Sequence, residues 1–282
     1  VAVADTGLEI AHEDLAASMF QESDCSDGVD NDANGLADDC YGWDFVGNDT
    51  DPTPTSNGGD HGTGVASLVG AVANNALGMR GVAPGVQLKG FNWLRSQSTA
   101  NELIANGGND RSDDVSVFNK SYGSYNTNDY SINSSVEAQL KYGVENLRGG
   151  YGAIYVKSAG NGFYGKSGFS CADASALGVT CIVSSMDSAK ATVYNLIVGA
   201  LNAHGYRSSY SSAGSNIFIS APGGEYGLDH ALYGHSGVNV EPALIAADRM
   251  GCAKGYSSSV SSPFNTFEDD DPTHPLNEDC NY

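Results

Sequence analysis

Three short motifs place polar and ionisable residues at the ends of apolar or small-residue runs. Asp5 stands in Asp5-Thr6-Gly7, directly after Val1-Ala2-Val3-Ala4. His61 opens His61-Gly62-Thr63-Gly64-Val65-Ala66, and Asn161 sits in Ser158-Ala159-Gly160-Asn161-Gly162. A carboxylate and an imidazole together can hold and move a proton. Singly, each motif is weak. An Asp-Thr-Gly triplet also serves aspartic proteases, but those need a second Asp motif, and the sequence has none. A His can simply cap a helix, and Ser-Ala-Gly-Asn-Gly can simply be a turn.

A second group of residues points to metal chemistry. Asp30-x-Asp32-x-Asn34-Gly35 repeats the first half of a calcium loop, with oxygen ligands at alternate positions and Gly for the sharp turn. Leu36 offers a carbonyl and Asp38 a further carboxylate. Tyr41 occupies the twelfth position, where an EF-hand carries Glu, so an EF-hand proper is excluded. Asp27, Asp39 and Asp44 lie close by, and that many carboxylates repel one another unless a cation compensates them. Many flexible oxygen ligands favour calcium over magnesium. A solvated acidic loop is the alternative.

The elements that must position these residues read as follows. Val1–Ala4 is a buried strand that delivers Asp5 at its carboxyl end. Further buried strands are expected over 86–94, 115–122, 153–158, 194–201 and 217–221, short runs rich in branched and aromatic residues and bounded by Gly, Asn or Pro. A helix is expected from 134 to 147. Ser134 and Glu137 form a capping box, Val136, Leu140, Val144 and Leu147 share one face, and Gly149-Gly150 closes it. A second helix, rich in small residues and so buried, is expected from 62 to about 74. Strands alternating with helices predict an α/β fold, a mostly parallel sheet with helices on both faces. Functional residues then gather at the carboxyl ends of strands. Two stretches break the rhythm. Residues 24–51 form an acidic, turn-rich insertion, and 223–282 a Gly-, Ser- and Asp-rich region read as long surface loops.

The six cysteines, with no CxxC pair, favour disulfides in an oxidising compartment over zinc. Local pairing predicts Cys25–Cys40, Cys171–Cys181 and Cys252–Cys280. The net charge of −21 argues against a nucleic-acid or anionic-membrane partner and favours cationic substrates or metal ions. No apolar run reaches the ~18 residues of a membrane span.

Taken together and in order, the Asp, His and Asn motifs resemble the subtilisin-like serine proteases, closest to the kexin-like and bacterial secreted branches. Gly81-Val82-Ala83-Pro84, Ser121-Tyr122-Gly123, Ser208–Ser212 and Ala221-Pro222-Gly223-Gly224 match as supporting blocks, so the resemblance covers essentially all 282 residues, as a single catalytic domain. It implies a secreted, monomeric, calcium-stabilised endopeptidase acting on polypeptides. Asp5 would orient His61, His61 would be general base and then general acid, and Asn161 would donate to the oxyanion. Ser121, Tyr122 and Gly123, with Ser158, Ala159 and Gly160, would be the two edges that pair with an extended peptide and line the first specificity pocket. A second calcium site is implied at Asp14 and Asn75, with carbonyls from Ala73, Leu77 and Met79. Asp187 aligns with an acid that such enzymes place in that pocket, where it would hold a substrate Arg. The second acid aligns near neutral Asn126, so a dibasic preference does not follow.

The family's Gly-Thr-Ser is absent. Gly234-His235-Ser236-Gly237 imitates it, but the Val238-Asn239-Val240-Glu241 that follows does not open a helix. The serine is therefore expected just beyond Tyr282, in a domain truncated at both ends, and these residues alone should be inert. Two rivals remain at this level: a catalytically dead subtilisin-like binding or regulatory module, and a calcium-dependent extracellular structural module.

Overall fold

A strand of four small apolar residues ending in Asp, β1 (Ala2–Asp5), is buried along its whole length and lies among parallel neighbours. The computed structural model describes residues 1–20, 25, 27–30, 37, 39–55, 61–124, 131–164, 171–227, 241–251, 253–256 and 281–282. They fall into two compact units. One comprises Val1–Asn119, Tyr142–Ala153 and Ile245–Tyr282, the other Lys120–Lys141 and Ile154–Leu244.

In the first unit the strand order is β2 (Gly42–Asp44), β3 (Lys89–Asn92), β1, β4 (Val117–Lys120), all parallel. The register sets Asp5 beside Asn92 at the carboxyl ends of β1 and β3. Against this sheet packs α1 (His61–Gly70). Val3, Leu8, Leu15, Met19, Ala66, Ala71 and Leu88 form the core between them. The glycines of α1 make the approach close. A Cβ on Gly62 would sit 1.9 Å from the Gly7 carbonyl oxygen, and one on Gly70 would meet Val86 at 2.8 Å. The helix stops at Gly70, short of the expected 74. Its free carbonyls take another partner: Leu68, Val69 and Ala71 accept from the backbone N–H groups of Val82, Ala83 and Gly81.

The second unit carries β5 (Ile154–Ser158), β6 (Asn195–Leu201) and β7 (Ile217–Pro222), again parallel, around buried Tyr155, Ile182 and Ile197. Helix α2 (Thr99–Ile104) belongs to the first unit and α4 (Ala172–Leu177) to the second. The chain passes through α3 (Ser134–Asn146) on its way between the two.

A mostly parallel sheet of seven strands with helices is the expected α/β class. Two details of α3 differ from expectation. Asn133, not Ser134, caps it, with its Oδ1 accepting from the Ser135 N–H at 2.9 Å, while Glu137 accepts from Thr192. Val136, Leu140 and Leu147 are buried but Val144 is exposed, because the apolar stripe is narrower than its spacing suggests. Cys25–Cys40 and Cys171–Cys181 are bonded as expected. Cys252 and Cys280 lie outside the described residues, and those that are described in 223–282 hold no helix or strand beyond β7.

Candidate active site

At the end of β1 the Asp5 side chain is fully buried, and its carboxylate accepts from the Thr6 N–H at 2.7 Å. The Thr6 hydroxyl in turn accepts from the Gly62 N–H at the start of α1. That bond, with the missing side chain at Gly62, brings the first residue of α1 onto the carboxylate. His61 Nδ1 then lies 2.9 Å from both Asp5 oxygens. The imidazole stays 48% exposed, so its other nitrogen is open to a reacting group. The hydrogen bond that His61 donates to Asp5, with the carboxylate charge adding to it, holds the His61 pKa above its ordinary 6.5 against the opposing effect of burial. Chemically the pair is an oriented base: Asp5 fixes the proton on Nδ1 and leaves Nε2 free to accept one.

In the second unit β5 ends at Ser158 and turns. Ala159 N–H donates to the Val198 carbonyl, and Gly160 adopts a φ of 103° that a side chain would strain. Ser212, whose role the sequence did not reveal, fastens this turn twice. Its N–H donates to the Gly160 carbonyl at 2.8 Å, and its hydroxyl accepts from the Gly162 N–H at 2.9 Å. Asn161 is held exposed between these anchors. Alongside, the ammonium of fully buried Lys157 donates to the Tyr122 carbonyl at 2.6 Å and stands 3.9 Å over the Tyr122 ring, fixing the 121–123 segment. Asp5 and His61 thus belong to one unit, and Asn161 with both expected peptide edges to the other.

Asp187 departs from expectation. Instead of facing an empty pocket it forms a buried ion pair with Lys190, Oδ2 to Nζ at 3.0 Å. Ser124 and Ala189 donate their N–H groups to its two oxygens, each at 3.0 Å. The carboxylate charge is already compensated inside the protein. Nothing in the Ser188-Ala189-Lys190 stretch signals this in sequence beyond an i,i+3 spacing.

Of the expected calcium ligands, Asp14 and Asn75 come together. Fully buried Asp14 accepts from Asn75 Nδ2 at 2.7 Å and from the Met79 N–H at 2.9 Å. Among the described residues it makes no ion pair. The 73–79 loop is strained, since Asn74 and Ala76 take left-handed φ values of 63° and 62°. A buried, uncompensated carboxylate beside a strained loop of carbonyls suits a hard oxygen-seeking cation. Asn75 would present its amide oxygen to such an ion in place of the nitrogen facing Asp14 here. Tyr282 covers this loop at Gly78, and burial, then the Asp14 and Glu13 charges, push its phenol up. Of the other calcium set only Asp30 is described; Asp32, Asn34, Leu36 and Asp38 lie outside the described residues, as does Ser236.

Comparison with known proteins matches residues 1–266 to the model of the Subtilase family. The chain is 38% identical over 290 residues to the Aeromonas extracellular serine protease of Aeromonas sobria, covering 100% of this chain and 41% of that protein. It is 32% identical over 287 residues to a microbial serine proteinase of Aeromonas salmonicida, with coverage of 100% and 41%. Among solved structures, the Aeromonas sobria serine protease in complex with the chaperone ORF2 is similar with a TM-score of 0.75 at 33% identity, over 100% of this chain and 43% of that one. The chain therefore spans well under half the length of the curated relatives it matches.

Proposed function

Because this chain belongs to the subtilase family, we propose that it carries the acid–base and peptide-binding parts of a secreted, calcium-stabilised serine endopeptidase. The observation that supports this most is the Asp5–His61 pair, a sealed carboxylate holding a half-open imidazole through Nδ1. In the reaction a serine hydroxyl gives its proton to His61 Nε2 as its oxygen attacks the scissile carbonyl. The imidazolium is stabilised by Asp5, then returns the proton to the departing amine. Water then gives a proton to His61 as its oxygen attacks the acyl carbonyl, and His61 returns that proton to the departing serine oxygen, releasing the acid. The Asn161 carboxamide, exposed on its pinned turn, would donate to the oxyanion, an interaction worth roughly 3–4 kcal/mol of barrier. The 121–123 and 158–160 segments would pair with the extended substrate.

Asp14, Asn75 and the carbonyls of Ala73, Leu77 and Met79 would hold calcium. The ion would neutralise a buried charge and hold the strained loop, with no part in the chemistry. Secretion is supported by two disulfides and by the similarity to the Aeromonas extracellular serine protease of Aeromonas sobria. No helix among the described residues is long and apolar enough to cross a membrane.

The test is fluorophosphonate labelling of the intact protein that carries this chain, with the labelled peptide mapped by mass spectrometry. One serine should label, and labelling should vanish in His61→Ala. A folded protein that never labels would sink the enzymatic reading and leave a subtilisin-like binding or regulatory module. A label on Ser236 would place the nucleophile within residues 1–282.

A further inference from the structure

One side chain of the protein itself stands between the two segments assigned above to the peptide edges. Lys190 ends a short 3-10 turn, Ser188–Lys190, and folds inward until only 4% of its side chain is exposed. A Cβ built on Gly123 would lie 2.9 Å from Lys190 Nζ, and one built on Gly160 3.0 Å from it. The ammonium therefore touches the backbone of both segments, which explains why each carries glycine there. On its far side it meets Asp187 Oδ2 at 3.0 Å. That oxygen also accepts from the Ser124 N–H, and Oδ1 accepts from the Ala189 N–H. The turn that presents the pair is itself anchored: Asn216 donates to the Lys190 carbonyl and Asn195 to the Ala189 carbonyl.

A substrate guanidinium bonds a carboxylate through both oxygens in one plane. Here both oxygens are engaged and the charge is already balanced. An entering Arg or Lys would have to expel Lys190 from a dry ion pair and leave one of two ammonium groups uncompensated. An entering Glu or Asp would meet a cation whose charge Asp187 cancels. Nζ, set against both Gly123 and Gly160, fills the space between the two segments with a cation that Asp187 balances.

We propose that Lys190 is a specificity-determining residue, which occupies Asp187 from within and so closes the first specificity pocket to basic side chains, leaving a site for small uncharged ones. The proposal rests on the proteolytic reading above and adds the substrate class to it.

The experiment is a cleavage profile of the intact protein on a peptide library that varies the residue before the scissile bond. Wild type should disfavour Arg and Lys relative to Ala by about tenfold or more. Lys190→Met frees Asp187 and should raise the kcat/KM ratio of Arg to Ala by at least about tenfold. Asp187→Asn combined with Lys190→Met removes both charges together. It should lose that gain while admitting larger apolar side chains. A purely structural role for Lys190 would lower stability and leave all three profiles alike. Preferred cleavage after Arg or Lys by wild type overturns the proposal, as does a double variant with the wild-type profile. Those two profiles decide the matter even if Lys190→Met does not fold. Absence of any cleavage or label in wild type overturns the proteolytic reading itself, and the pocket assignment with it.

Discussion

Two buried carboxylates in this chain each hold one cationic or potentially cationic nitrogen, at nearly the same distance. Asp5 meets His61 at 2.9 Å and Asp187 meets Lys190 at 3.0 Å. Both acids are sealed, at 0% and 2% exposure. The partners differ: the imidazole is 48% exposed, the ammonium side chain 4%. An imidazole exchanges its proton near neutrality, whereas an alkyl ammonium ordinarily does so only several pH units higher. One carboxylate therefore backs a proton that can move and has somewhere to go. The other is locked against an ammonium enclosed within the protein. On the proposed reading, the same pairwise geometry would serve as a reactive unit in one place and a wall in the other.

The largest expected effect breaks the first pair. Asp5→Asn keeps the shape but removes the charge and offers His61 the wrong hydrogen-bond partner, so kcat on a peptide substrate should fall by about 10⁴-fold with the fold intact by circular dichroism. Asp187→Asn should leave kcat for a small-residue substrate within about tenfold. Equal losses in the two variants would remove the distinction between a working pair and a structural one.

The second pair is tested by stability. Lys190→Met leaves a buried carboxylate with no cation, and losing one partner of such a pair costs about 3–5 kcal/mol. Denaturant unfolding should show that loss, and should show most of it restored when Asp187→Asn is added. If the single and double variants are equally unstable, the coupling between Lys190 and Asp187 is negligible and Lys190 matters only for packing.

Much of the first pair was legible in sequence because its parts are local. The Ala2–Ala4 run ending at Asp5, and the His61-Gly62-Thr63-Gly64 opening, each announce an element boundary through residue type. The Cys25–Cys40 and Cys171–Cys181 pairings were legible because each closes a short loop. The second pair was not legible. Lys190 becomes meaningful only because folding carries Gly123 and Gly160 to its ammonium, and sequence patterning holds no record of contacts that distant. β2 was missed for a related reason. Gly42–Asp44 has one large apolar residue, Trp43, and its strand character comes from its pairing with β3. Helix α1 ended early because its carbonyls found partners in Gly81–Ala83.

Asp14 sharpens the contrast as a third buried carboxylate, this time without a cationic side chain among the described residues. If calcium fills that role, a chelator should lower the melting temperature of the intact protein, and saturation at a hundredfold above Kd should contribute about 2.7 kcal/mol. Asp14→Asn should abolish the calcium dependence. A melting temperature indifferent to chelation would mean that Asn75, Met79 and Tyr282 satisfy Asp14 unaided.

The smallest effect is in pH, and it separates the two meanings of the Asp5–His61 pair. As the proposed base, His61 would act only when neutral. Its pKa is raised, first by the hydrogen bond it donates to Asp5, so the acid limb of kcat/KM should have its midpoint above 6.5. Asp5→Asn removes that support and should move the midpoint down, in whatever activity remains. Stability runs the other way. A His whose folded pKa lies above its unfolded value binds its proton more tightly when folded. The pair therefore contributes stability fully below about pH 6.5 and loses it as pH rises through the folded value. With the imidazole half exposed that contribution is small. Activity rising through the same interval in which this part of the stability fades is the signature of a base held ready at some cost to the fold. A midpoint at or below 6.5 that Asp5→Asn leaves unmoved would show that Asp5 orients His61 without tuning it.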